Sequence, residues 1–202
     1  PPPSGMSAVQ GGLKPPSSMW EYPAFIELCT SMKRGRSRVA QNEIGLAVLR
    51  HLVPLPLMRF FGWIYSRDPR AASIFSAWGS SIASGFLVGP STVERSEMTL
   101  PTGVVREAPN VVKITKCRFL AESGGCVGMC TNLCKVPAQR FFTEEVGFDM
   151  TMEPNFEDGS CKMIWGQAPP AREADPVCNE PCKAATCPVY TELGCGRCDE
   201  EA

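Results

Sequence analysis

Histidine is all but missing from this chain: His51 is the only one among 202 residues, in an apolar front segment remote from Cys126, Cys130 and Cys134. That argues against a Cys/His nucleophile pair. Long apolar runs are missing too, because Arg50, His51 and Arg59 punctuate 44–64 and Pro54 and Pro56 break it. Nothing reaches the roughly 18 apolar residues of a spanning helix, so no transmembrane helix is expected. The sequence has no glycine-rich phosphate loop and no basic–aromatic pattern, which removes the usual signs of nucleotide and nucleic-acid binding. Paired zinc knuckles are absent, since only Cys195-Gly-Arg-Cys198 has a two-residue gap. The adjacent carboxylates Glu144-Glu145 and Glu157-Asp158 would diverge by about 100° on a helix, so neither pair is expected to do acid–base work.

Cysteine is what the chain has in excess, with eleven in all, ten of them after position 116. An odd number cannot all pair internally, although ten bridged with Cys29 left over stays open. The net charge of −1 hides an asymmetry: residues 1–95 hold ten Lys/Arg and five Asp/Glu, and 96–202 hold ten and sixteen. The basic run Lys33, Arg34, Arg36, Arg38 precedes an apolar stretch, an order that suits anionic headgroups or a solvated loop. A chain of this length, 44% apolar, can bury one sizeable core. It opens at Pro1 without Met, and removal of a targeting peptide is the expectation.

Residues 1–19, rich in Pro, Gly and Ser, read as an extended arm. The period of 3.6 places one helix over 39–53, a second apolar segment from Leu55 to Tyr65, and a helix from Asp68-Pro69 to about Gly85. That last helix carries Ile74, Phe75, Trp78, Ile82 and Phe86 on one stripe. Its other face (Ala71, Ser73, Ala77, Ser80, Ser81, Ser84) is small enough for a neighbouring helix, a bilayer, a flat ligand or ordinary core packing. Segments 98–100, 104–105 and 111–114 are β-branched, bounded by Pro101-Thr102-Gly103 and Pro109-Asn110, and predict a small sheet. Gly124-Gly125 opens a helix over 126–135, Pro137 starts another, and Gly147 ends it.

Cys126, Cys130 and Cys134, four apart, would share one helical face, about 6 Å per step along the axis. Neighbours one turn apart make poor disulfides, so metal ligation is the favoured reading, with distortion needed to bring all three to one centre. The tail cysteines Cys178, Cys182, Cys187, Cys195 and Cys198 are interleaved with Pro and Gly, and such a segment holds a shape only through ligation, bridges or a partner. Thiolates select zinc or iron, and spacing does not decide between them.

The run from Lys116-Cys117-Arg118-Phe119-Leu120 through Glu122-Ser123-Gly124-Gly125-Cys126-Val127-Gly128-Met129-Cys130 to Thr131-Asn132-Leu133-Cys134-Lys135-Val136-Pro137 resembles the plastid beta-carotene isomerase family of the strigolactone pathway. Met152-Glu153-Pro154-Asn155-Phe156-Glu157-Asp158, Ser160-Cys161, Ile164-Trp165-Gly166-Gln167 and Asp175-Pro176 with Cys182 and Cys187 continue the likeness over about 86–187. The extra glycine in Gly124-Gly125 and the cysteine-dense end depart from it. The resemblance implies an iron protein, mononuclear or with an iron–sulfur cluster, ligated among Cys117, Cys126, Cys130, Cys134, Cys161, Cys182 and Cys187. It further implies a carotenoid cis/trans isomerase in the chloroplast, peripheral to the thylakoid or envelope membrane, with carotenoid and membrane surface as partners. The alternative is a non-catalytic accessory subunit of a photosynthetic complex that uses the same domain as a scaffold. The expected architecture is α+β, mainly helical, with a small antiparallel sheet and a cysteine-rich, loop-rich C-terminal region. Its expected parts are an arm (1–19), an apolar helical module (20–86), a cysteine-ligated domain (87–187) and a tail (188–202).

Overall fold

Four helices precede the sheet in the computed structural model, which describes residues 21–100 and 102–180; the arm at 1–19 and the tail at 188–202 lie outside them. α1 (Tyr22–Lys33) buries Tyr22, Cys29 and Lys33, which recur at helical spacing. α2 (Arg38–Leu52) starts at Ser37, whose hydroxyl accepts the Ala40 N–H, and α3 (Leu55–Arg67) restarts behind Pro54. α4 (Pro69–Ala83) is capped by Asp68, whose carboxylate accepts the Ala71 N–H, with proline in its first turn. A short turn, α5 (Gly85–Val88), leads into the sheet.

The sheet is antiparallel in the order β1-β2-β4-β3. β1 (Ser91–Thr99) and β2 (Val105–Ile114) form a hairpin longer than the short segments expected there. Pro109 and Asn110, read as a boundary, lie inside β2. The register shifts between Glu94 and Ser96, opposite them, and at such a bulge proline's missing N–H costs no ladder bond. β3 (Met150–Pro154) and β4 (Cys161–Trp165) were not placed as strands by periodicity; the buried Met150, Met152, Met163 and Trp165 anchor them. After β2 comes α6 (Arg118–Glu122).

From Val127 to Val146 the chain is one unbroken helical rod: α7 (Val127–Met129), a π-helical stretch Cys130–Lys135, α8 (Val136–Arg140) and a second π-helical stretch Phe141–Val146. Gly147 ends it in the left-handed region, as its position after the phenylalanines predicts. Pro137 was expected to begin a new helix and is instead carried inside the rod. Its ring crowds the carbonyl four residues back and it has no N–H to donate, and the wider π winding immediately before it relieves both problems. α2 and α3 close on this rod where side chains are absent. A Cβ on Gly45 would stand 2.6 Å from Pro137 Cγ, and one on Gly62 2.7 Å from the Val146 carbonyl oxygen.

α4 lies across β1, β2 and β4, and it does so with its small residues. Ala72, Ser73, Ser76 and Ala77 are buried, whereas Phe75, Trp78 and Ile82 are 57%, 56% and 80% exposed. Core packing is therefore the use found for the small-residue face, and the bulky stripe points outward. A single apolar core runs from Cys29, Leu46 and Met58 in the front helices to Val112, Phe141, Phe148 and Trp165 behind. Its aromatic seam joins Tyr65 to Phe148 at 4.4 Å and Phe148 to Trp165 at 5.1 Å, and the Trp165 indole N–H donates to Ser80 Oγ.

Candidate functional site

Four cysteines drawn from three parts of the chain line one small cavity. Cys117 precedes α6 directly after β2, and its N–H donates to the Gly159 carbonyl, tying the end of β2 to the β3–β4 turn. Cys161 opens β4, paired with Ile114 of β2 and Pro154 of β3. Cys130 and Cys134 come from the first π-helical stretch. Val88, Ile114, Phe119, Leu120, Met152 and Pro154 complete a lining without a charged group around ≈ 10 Å³, room for about one water-sized particle.

Burial holds these thiols neutral. Cys130 is raised well above the ordinary thiol value by desolvation first and then by Cys134, Cys161 and Cys117. Cys134 is pushed up to about 12, again by burial and then by Cys117 and Cys29. Cys161 and Cys117 are raised chiefly by burial. Each thiolate would burden its neighbours, and a cation among them would reverse both effects. Cys29 of α1 is within electrostatic reach of Cys134, is itself buried, and is pushed up to about 11 by desolvation. The sequence reading left Cys29 out of the site; its helical spacing with Tyr22 and Lys33 was the available signal.

The remaining sequence candidates fall elsewhere. Cys126 was expected on the same helical face as Cys130 and Cys134. It is the extended residue before the rod, because Gly124 and Gly125, both with positive φ, turn the chain and delay the helix to Val127. It does not line the cavity, and its sulfur accepts a hydrogen bond from Lys33 Nζ at 3.2 Å. Cys182 and Cys187 lie outside the described residues. Cys178 borders a separate open cleft of ≈ 330 Å³ with Asn42, Gln139 and Arg140.

Lys33, read as part of a basic run facing either anionic headgroups or solvent, is instead completely buried. It belongs to a polar layer on the rod, where Asn132 Nδ2 donates to Gln41 Oε1 at 3.1 Å and Gln41 Nε2 donates to the Arg36 carbonyl. Further along, Lys135 Nζ and Asp175 Oδ2 form a sealed ion pair of 2.6 Å, and Asp175 also accepts the Val177 N–H. This fastens the segment after β4 to the rod.

Four thiols around a small apolar cavity fit a soft, thiolate-seeking metal in donor type. As placed, no three His, Cys, Asp or Glu groups among the described residues stand close enough together to hold an ion. The fit is thus one of chemistry and of convergence on a common cavity. Fold and site together define a thiol-centred α+β domain in which a π-distorted helix faces a strand and a strand end.

Residues 86–174, which contain all four cavity cysteines, match the family model described as Beta-carotene isomerase D27-like, C-terminal. A protein of Arabidopsis thaliana named "Beta-carotene isomerase D27, chloroplastic" is 34% identical over 171 residues, 85% of this chain and 62% of the relative. Its namesake in Medicago truncatula is 37% identical over 161 residues, 80% of this chain and 61% of the relative. The chain thus spans about three fifths of the length of the curated relatives it matches. No solved structure matches it. Over residues 86–174 the chain is similar to the beta-carotene isomerase D27-like family.

Proposed function

We propose that this protein is a carotenoid isomerase of the plastid, interconverting all-trans and 9-cis forms of a beta-carotene-type polyene, with the thiol-lined cavity as its centre. The observation that carries the reading is that Cys117, Cys130, Cys134 and Cys161 line one apolar cavity inside the very stretch that matches the isomerase family model. Those four thiols would hold iron as thiolates. Iron bound there supplies a redox-active Lewis acid, able to draw electron density from a polyene and weaken the double bond about which it must rotate.

The chain's own residues do the rest. Val88, Ile114, Phe119, Leu120 and Met152 would give a metal held there an apolar surround with room for about one water-sized particle, keeping bulk water from the thiols. The π winding sets Cys130 and Cys134 on the cavity wall, and the Cys117–Gly159 hydrogen bond holds the opposite wall against β4. No side-chain acid or base is needed at the cavity, in keeping with its uncharged lining, since rotation adds and removes no atom. A carotenoid is an apolar rod dissolved in lipid, and the protein is proposed to meet it at the surface of the thylakoid or envelope membrane.

Chromatography of all-trans beta-carotene incubated in detergent micelles with anaerobically purified protein tests this. The reading requires accumulation of the 9-cis isomer by the wild type and its loss in Cys161→Ser. A wild type that leaves the isomer ratio at its protein-free value, at full metal loading, would remove it.

A further inference from the structure

The helix α4 is laid on the sheet the wrong way round for folding alone. Alanines and serines fill its inner side, and its aromatic and aliphatic bulk is turned out. α3 continues the pattern: Phe60 and Trp63 are 49% and 54% exposed and their rings stack at 6.3 Å. Phe61 meets Phe75 at 5.9 Å, so the outward stripes of the two helices join into one apolar face. Single exposed apolar residues are ordinary, but a joined face of this kind marks an interaction surface. Both exposed tryptophans among the described residues lie on it, while Trp165 is buried in the core.

The charges on this face name the occupant. Arg59, Trp63 and Arg67 follow one another at four-residue spacing on α3, and the Arg67 guanidinium lies 4.2 Å from the centre of the Trp63 ring. Between Ile44 and Val93 the sequence has one carboxylate, Asp68, and that one is spent on capping α4. The face therefore offers tryptophan, phenylalanine and isoleucine with arginine beside them, and Asp68 is the one acid that α3, α4 and their junction themselves carry. That combination suits a headgroup layer, with anionic groups for the guanidiniums and an acyl boundary for the rings. No single described helix is long and apolar enough to cross a membrane, and α2 and α3, which together have the length and composition, are bent by 94° at the break between them, a geometry suited to lying on a bilayer.

We infer that the outward face of α3 and α4, with Trp63, Phe75, Trp78 and Ile82 as its floor and Arg59 and Arg67 beside them, is the seat on which the protein rests on an anionic lipid bilayer. The choice of lipid rests on the lipid-dissolved substrate proposed above, and the location rests on the face itself. The seat brings a soluble catalyst to a substrate that never leaves the membrane.

Flotation of the full 202-residue chain with vesicles of phosphatidylglycerol and phosphatidylcholine provides the test, paired with quenching of tryptophan fluorescence by lipids brominated on the acyl chain. Wild type should float and be quenched, more weakly in high salt and with phosphatidylcholine alone. Trp78→Gln and Ile82→Gln should each lower vesicle partitioning about tenfold, and Arg59→Gln about fivefold. Because these side chains are more than half exposed or at the surface, all three variants should keep the wild-type melting temperature and their isomerisation in micelles. A wild type that isomerises carotene in micelles but does not float overturns the seat and leaves the isomerase. One that floats and is quenched without isomerising overturns the isomerase and leaves the seat. Wild type that stays off vesicles but self-associates in sedimentation, with Trp78→Gln monomeric, would assign the face to a second copy and overturn the lipid.

Discussion

The back of the molecule hides what is reactive and the front displays what is apolar. Around the rod and the sheet, thiols, Lys33, Lys135 and Asp175 are sealed from water, and Trp165 is 3% exposed. On α3 and α4 the tryptophans are more than half exposed and the small residues are inside. A fold selected for stability alone would do the opposite in both places, since buried ionisable groups are costly and exposed aromatics forgo burial. On the readings proposed above, the contrast separates two regions suited to different partners, a cation behind and an apolar phase in front.

The largest expected effect comes from removing a cavity thiol. Thiolate ligation of a structural metal is worth on the order of 10 kcal/mol, comparable with the whole net stability of a domain. Cys130→Ser should therefore lose metal and protease resistance together, as limited proteolysis with metal analysis would record. If β3 and β4 stay as resistant as in wild type, the centre is not what holds the back of the molecule.

Next comes the sealed ion pair. Lys135→Met leaves Asp175 buried without its partner and should cost about 3–5 kcal/mol in urea unfolding, whereas the double change Lys135→Met with Asp175→Leu should recover most of it. A single-variant loss below about 1 kcal/mol would show that the pair is wet in solution.

Alkali probes the thiols directly. In metal-free protein Cys29 and Cys134 have folded values of about 11 and about 12 against an ordinary thiol value of 9.0. The folded state then binds more protons than the unfolded state above pH 9, so stability is full below that pH and falls as pH rises toward about 12. Metal-loaded protein, with the Cys134 thiolate already formed, should lose only the part that Cys29 contributes. Thermal melts of both forms between pH 8 and 11 would check it.

The smallest effect belongs to the exposed ion pair of Arg50 with Glu145, at 2.6 Å, which links α2 to the rod. Arg50→Ala should cost about 0.2–1 kcal/mol and the cost should shrink in salt. A larger, salt-insensitive loss would mean that the front helices depend on that contact more than on the glycines at the crossings.

Periodicity and the proline or polar cap at each start were enough to place α2, α3 and α4, although the face α2 buries is Gln41, Asn42, Gly45 and Leu46 rather than an apolar stripe. For α4 periodicity left several uses open for the small-residue face, core packing among them, and the structure lays that face on the sheet with Phe75, Trp78 and Ile82 outward. It stopped β2 at Pro109 because a bulge is invisible without the opposite strand. The cavity was partly legible: four-residue spacing put Cys130 and Cys134 on one helical face, and both line it, whereas the distortion expected to bring in Cys126 as well does not do so, although that stretch is π-wound. Cys126 was misplaced on that helix because the turn made by Gly124 and Gly125 was read as a helix start one residue too early. Cys29 could be joined to Cys134 only by tertiary packing, across more than a hundred residues of chain.

Iron content, with the absorption spectrum, of anaerobically purified wild type, Cys117→Ser, Cys161→Ser and Cys178→Ser bears most directly on the claim that the four thiols form a metal centre. The account predicts iron with a thiolate-to-iron absorption band in wild type and in Cys178→Ser, and the loss of both in Cys117→Ser and Cys161→Ser. Zinc at one equivalent with no iron, or iron that survives both cavity substitutions, would contradict it.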